Sequence, residues 1–105
     1  MPDSTLTDLA SALDSCATVI DVREPAEYVS GHVPGAVLIP MSRLTTRLDE
    51  LDRTGPVHVV CASGGRSSAM AEYLVRTGFD ARSVVGGTDA WAASGRPLVT
   101  GTTPR

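Results

Sequence analysis

The sequence has no lysine, few aromatic residues and no apolar run long enough to span a bilayer. Each shortage narrows the choices. All nine basic residues are arginine, scattered among twelve acidic ones for a net charge of -3. No basic cluster could follow a phosphate backbone, which argues against a nucleic-acid partner. The aromatic residues are Tyr28, Tyr73, Phe79 and Trp91, so aliphatic side chains must fill the interior and the layers must pack closely. Met1-Pro2-Asp3-Ser4-Thr5 has neither the basic nor the apolar region of a signal peptide. With no membrane span, a cytoplasmic, reducing location is expected. Cys16 and Cys61 lack metal-ligand spacing, and neither His32 nor His58 stands near them with a second ligand, so no metal and no cofactor is expected.

What remains is an ordinary globular composition. The 105 residues are 42% hydrophobic and 20% charged, enough for one domain and not two. Thr7 can cap a short helix over residues 8–13, with Leu9 and Leu13 one turn apart on a common face. Val19-Ile20-Asp21-Val22 reads as a buried strand, and Pro25 suits the first position of a helix running to Ser30 and ended by Gly31. His32-Val33-Pro34-Gly35 is a turn and Ala36-Val37-Leu38-Ile39 another strand. After Pro40 a second capped helix is expected, with Leu44, Leu48 and Leu51 as its buried stripe. Ala81 to Val85 is a last strand, Gly86-Gly87 a tight turn and Thr88 to Ser94 a closing helix. From Arg96 the chain is rich in Thr, Pro and Gly and reads as frayed. The domain is taken as residues 1–100, with 101–105 a flexible tail. Strands separated by helices imply a doubly wound, mainly parallel α/β sheet with helices on both faces.

The stretch from Pro56 to Gly78 concentrates the chemistry. Val57-His58-Val59-Val60 is a strand that stops at Cys61, Ala62-Ser63-Gly64-Gly65-Arg66 turns the chain, and Ser67 to Leu74 forms a helix closed by Gly78. Ligands bind beyond the carboxyl ends of strands in such sheets, and a helix amino terminus there offers unpaired N–H groups. A thiol in that field is acidified toward its nucleophilic form. Gly64 and Gly65 allow the loop to curl until several N–H groups face one centre. Ala62 and Ser63 keep its rim small and uncharged. Arg66 is either an anion-facing cation or a salt-bridging group. Arg23, just past a neighbouring strand, either borders the site or bonds Asp21, Glu27 or another carboxylate. Ser67 is a helix cap or a substrate contact. His32 reads as turn architecture, His58 as a packed imidazole, Trp91 as core and Cys16 as an unreactive thiol.

Four segments then stand in one order: Val19-Ile20-Asp21-Val22-Arg23-Glu24-Pro25-Ala26-Glu27-Tyr28, Gly31-His32-Val33-Pro34-Gly35-Ala36, Cys61-Ala62-Ser63-Gly64-Gly65-Arg66-Ser67 and Gly86-Gly87-Thr88-Asp89-Ala90-Trp91. Together they resemble the signature segments of a single rhodanese domain, and the resemblance covers nearly the whole chain. It implies a five-stranded sheet and sulfurtransferase chemistry of the thiosulfate type. It also implies that Cys61 carries a persulfide and that Ala62 through Arg66 cradle it. The partners implied are a small sulfur donor such as thiosulfate or a persulfide and a thiol or cyanide acceptor, or a protein sulfur acceptor.

Two other classes share parts of this pattern. Phosphatases, some related to rhodanese in fold, also use a cysteine loop ending in arginine. Theirs has five intervening residues to wrap a tetrahedral phosphate, whereas Cys61 and Arg66 enclose a loop shorter by one. The other class is a rhodanese-like module that binds a protein, carries sulfur or senses oxidants without turnover. Retention of Cys61 and of the glycine-bearing loop favours the enzyme over that module.

Overall fold

A computed structural model describes residues 3–105. Met1 and Pro2, the start of the segment Met1 to Thr5, lie outside the described residues. Five parallel strands form one sheet: β1 (Asp3–Ser4), β2 (Thr18–Asp21), β3 (Val37–Leu38), β4 (Pro56–Val60) and β5 (Asp80–Val84), in the order β1-β5-β4-β2-β3. Four helices connect and close it: α1 (Leu6–Asp14), α2 (Pro25–Ser30), α3 (Gly65–Arg76) and α4 (Gly87–Ala93). Side chains alternate across a strand, so each strand feeds two apolar layers. Ile20, Val57, Val59 and Ala81 pack with Ala71 and Leu74 of α3, Phe79, Leu44 and Leu51 on one face. Val19, Val60 and Val84 pack with Leu9 and Ala12 of α1 and Trp91 of α4 on the other. Both faces of the central strand β4 are therefore dry, and its carboxyl end is the middle of the molecule's upper edge.

Several expectations are corrected. The first helix is capped by Thr5, not Thr7: Thr5 Oγ1 accepts from Asp8 N at 3.0 Å while Asp8 Oδ2 accepts from Thr5 N at 2.9 Å. This reciprocal box satisfies two otherwise orphaned donors, which a cap at Thr7 would not. β1 has no strand pattern of its own, being two residues long. It exists because β5 offers an unpaired edge, to which Ser4 is registered opposite Val84. The second capped helix is absent. In its place stand two single 3-10 turns, Leu44–Thr46 and Leu48–Glu50. The Thr46 hydroxyl bonds the Arg43 carbonyl at 2.9 Å, a local competitor of helix extension, while Leu44 and Leu51 still reach the core.

The closing segment does not fray. Val99 bridges to His32, Gly101 N donates to the Val29 carbonyl at 2.9 Å, and Gly35 N donates to the Pro104 carbonyl at 2.9 Å. The buried His32 ring stacks on Tyr28 at 3.6 Å between centroids and reaches the Tyr28 and Thr103 carbonyls at 2.8 Å each. Composition gave a loose end its appearance; backbone pairing with the turn after α2 supplies what the composition lacks.

Candidate active site

β4 ends at Val60, and Cys61 is the next residue, at the carboxyl edge of the sheet's central strand. The loop that follows is short because Gly64 turns it sharply. Its φ of 117° lies in the left-handed region, where a side chain would be strained, and it serves as the amino-terminal cap of α3. Ser68 N donates to the Gly64 carbonyl at 3.0 Å, starting the helix immediately. The first turn of α3 thus closes over the cysteine it follows.

The Cys61 side chain is 1% exposed and sits among hydrogen-bond donors. Gly64 N donates to Sγ at 3.0 Å, and Sγ lies 3.4 Å from the Ser67 hydroxyl. Burial pushes the Cys61 thiol up, but the Ser67 hydroxyl and the backbone N–H groups of Ser67, Gly64 and Ser63 outweigh it, leaving the thiol below its ordinary value. The sulfur therefore lies in a cradle of donors that favours negative charge on it.

A second chain segment braces the loop from behind. Thr88 N donates to the Cys61 carbonyl at 2.8 Å and Asp89 N to the Ala62 carbonyl at 2.9 Å. This approach explains Gly87: with φ of 59°, a Cβ there would run into both carbonyl oxygens. The glycine pair read as a tight turn is thus also a docking surface for the cysteine loop.

The residues singled out in the sequence divide into three groups. Cys61, Gly64 and Ser67 converge on the sulfur; Gly65 opens α3, Ala62 is half-buried and Ser63 exposed on the rim. Arg66 turns to α2, where both of its terminal nitrogens bind the Glu27 carboxylate at 2.7 and 2.9 Å. That pairing holds Glu27 down to about 2, its guanidinium bonds opposed by burial and helped by the Glu24 N–H, and pushes Arg66 up. Arg23 is 6% exposed and faces inward, gripping Asp21 through Nε and Nη2 and reaching the Gly31 carbonyl at 2.8 Å. Both arginines the sequence set beside the cysteine thus carry an internal carboxylate partner. His58 bonds Ser4 through Nδ1 at 2.9 Å, away from the thiol, and burial lowers its basicity. Trp91 is core, and Cys16 is exposed on the loop after α1. Among the described residues, no group of three or more His, Cys, Asp or Glu side chains converges as a metal site would require.

Sequence reasoning missed Ser83, whose hydroxyl lies 2.8 Å from that of Ser67. Its signal was a lone polar residue at a buried position of β5, on the face Ala81 shares with the core.

The chain is similar to known proteins along nearly its whole length. A family model described as the rhodanese-like domain matches residues 5–94. A sulfurtransferase of Allochromatium vinosum is 35% identical over 82 residues, covering 77% of each chain. A rhodanese-related protein from Thermoplasma volcanium superposes with a TM-score of 0.88 at 34% identity, covering 96% of this chain and 100% of that one. A thiosulfate sulfurtransferase of Pseudomonas aeruginosa superposes with a TM-score of 0.88 at 28% identity, covering 98% of this chain but 21% of that longer one.

Proposed function

The chain belongs to the rhodanese-like domain family, and within it we propose that this protein is a sulfurtransferase in which Cys61 carries sulfur from a donor to a thiophilic acceptor. The observation that carries the reading is the seat of the sulfur: Gly64 N–H at 3.0 Å, the Ser67 hydroxyl at 3.4 Å and a thiol held below its ordinary value.

In the first step the Cys61 thiolate attacks the outer sulfur of the donor. With thiosulfate, the new Sγ–S bond forms as the donor's S–S bond breaks and sulfite departs with the bonding pair, leaving an anionic persulfide. In the second, a thiol or cyanide takes the outer sulfur and Cys61 leaves as thiolate. Negative charge stays on sulfur throughout, so fixed N–H and O–H donors stabilise both transfers without moving. Thiosulfate brings two negative charges, and the rim offers small uncharged Ala62 and Ser63 with Arg66 already bound to Glu27. A persulfide donor, small or protein-bound, therefore suits the rim better than thiosulfate. A second, non-enzymatic reading, a carrier that discharges only to one protein, draws on the same uncharged rim. Two free cysteines, one of them exposed, suit a reducing compartment such as the cytoplasm.

The deciding experiment incubates reduced protein with thiosulfate, and separately with a low-molecular-weight persulfide, and weighs the intact chain beside Cys61→Ser. A gain of one sulfur, absent in the mutant, is expected. Loading by persulfide alone would select the donor. Loading without turnover to cyanide or a small thiol would favour the carrier. A folded protein that loads with neither donor would overturn the assignment.

A further inference from the structure

Behind the cysteine stands a pair of buried hydroxyls, Ser67 on α3 and Ser83 on β5, neither more than 3% exposed. A hydroxyl has one proton to give and two lone pairs to fill. Ser67 Oγ has three neighbours: Cys61 Sγ at 3.4 Å, the Gly64 carbonyl at 3.1 Å and Ser83 Oγ at 2.8 Å. Ser83 Oγ, among the described residues, has Ser67 Oγ as its one side-chain partner. Buried polar groups use their protons, so Ser83 is the donor in this pair and Ser67 the acceptor. The direction of the chain is thereby fixed: the Ser67 proton is left to point at the Gly64 carbonyl or at the sulfur.

Those two choices match the two states of the thiol. When Cys61 is protonated, its S–H donates to Ser67 Oγ and the Ser67 proton rests on the Gly64 carbonyl. When Cys61 is a thiolate, the Ser67 proton turns to the sulfur. The turn leaves nothing unsatisfied, because the Gly64 carbonyl also accepts from Ser68 N at 3.0 Å. Ser83 donates to Ser67 in both states, and a hydroxyl that accepts a hydrogen bond donates a stronger one.

We propose that Ser83 is a positioning residue for sulfur transfer: it orients and strengthens the Ser67 hydroxyl that stabilises the Cys61 thiolate, as nucleophile during loading and as leaving group during discharge. The inference rests on the reading of Cys61 as the sulfur-carrying group, yet its test needs no sulfur donor.

The measurement is the pH dependence of Cys61 alkylation by iodoacetamide, made in a Cys16→Ser background so that the exposed thiol does not contribute. Ser83→Ala should raise the midpoint by about 0.3–0.5 pH unit, making alkylation roughly two- to threefold slower below the midpoint. Ser83→Thr, which keeps the hydroxyl, should restore it. In a Ser67→Ala background, Ser83→Ala should add no shift. A midpoint unchanged in Ser83→Ala, or a shift that persists without the Ser67 hydroxyl, would overturn the proposal even if Cys61 loads sulfur normally. The Ser67→Ala comparison keeps the test decisive should the extra methyl of Ser83→Thr not fit. Conversely, the expected midpoints together with failed loading would sink the sulfurtransferase reading and leave the hydroxyl pair standing.

Discussion

Replacing Gly87 by alanine tests how the cysteine loop is held. Gly87 and Gly95 both have left-handed backbones, φ of 59° and 82°, so alanine at either position meets a similar conformational penalty of about 1–2 kcal/mol. Their surroundings differ. A Cβ at Gly95 meets nothing within 4 Å, whereas one at Gly87 collides with the carbonyl oxygens of Cys61 and Ala62. Those carbonyls accept the Thr88 and Asp89 bonds at 2.8 and 2.9 Å, each contributing about 1 kcal/mol net, and relief of the clash must lengthen them. Gly87→Ala should therefore cost about 3–4 kcal/mol in urea unfolding and Gly95→Ala about 1–2 kcal/mol. The displaced loop should also lose its aim at the sulfur, so Cys61 alkylation near neutral pH should slow in Gly87→Ala and not in Gly95→Ala. Equal losses of stability in the two variants, with Cys61 reactivity unchanged in both, would refute the claim that α4 braces the loop.

The Arg66–Glu27 ion pair and the buried tyrosine can each be tested by substitution. Glu27→Gln should release Arg66 toward the rim and raise kcat/KM for thiosulfate relative to a neutral persulfide, by roughly tenfold if one full charge becomes available; an unchanged ratio would mean that Arg66 does not reach the donor. The same variant tests linkage. Glu27 is held down to about 2 from an unfolded value of 4.5, so its contribution is complete above about pH 4.5 and is lost as pH falls toward 2. With both side chains about a third exposed, screening limits it to under ~1 kcal/mol. Wild type and Glu27→Gln should accordingly converge in stability at the acid end of that window, and divergence there would contradict the assignment. Tyr28 is fully buried and its hydroxyl donates to the Ala36 carbonyl, so Tyr28→Phe should cost about 1–3 kcal/mol in chemical denaturation. A loss below about 0.5 kcal/mol would show that the carbonyl finds another donor.

Much of the architecture was legible because the relevant signals are local. The apolar runs of β2 and β4, Pro25 at the start of α2 and the break at Gly64-Gly65 each constrain the backbone within a few residues. The position of Cys61 followed directly, since a strand that stops at a thiol before a glycine loop puts that thiol at a carboxyl edge. What failed was marginal in sequence. Two-residue β1 carries no periodicity, the Leu44–Leu51 stripe fits two short turns as well as one helix, and Thr-Pro-Gly composition does not reveal a tail that pairs with His32 and Gly35.

Local pattern was enough for the class of sheet, the carboxyl-edge position of Cys61 and the glycines that let its loop close, because these depend on backbone preference and on the period of apolar residues. The use of the charged and hydroxyl groups was decided by the tertiary structure. Arg66 faces Glu27, 39 positions away, and Ser67 meets Ser83, 16 positions away, only because α2, α3 and β5 are brought together around β4. Side-chain pairing across elements depends on which faces the sheet order makes neighbours, and no local pattern encodes that choice.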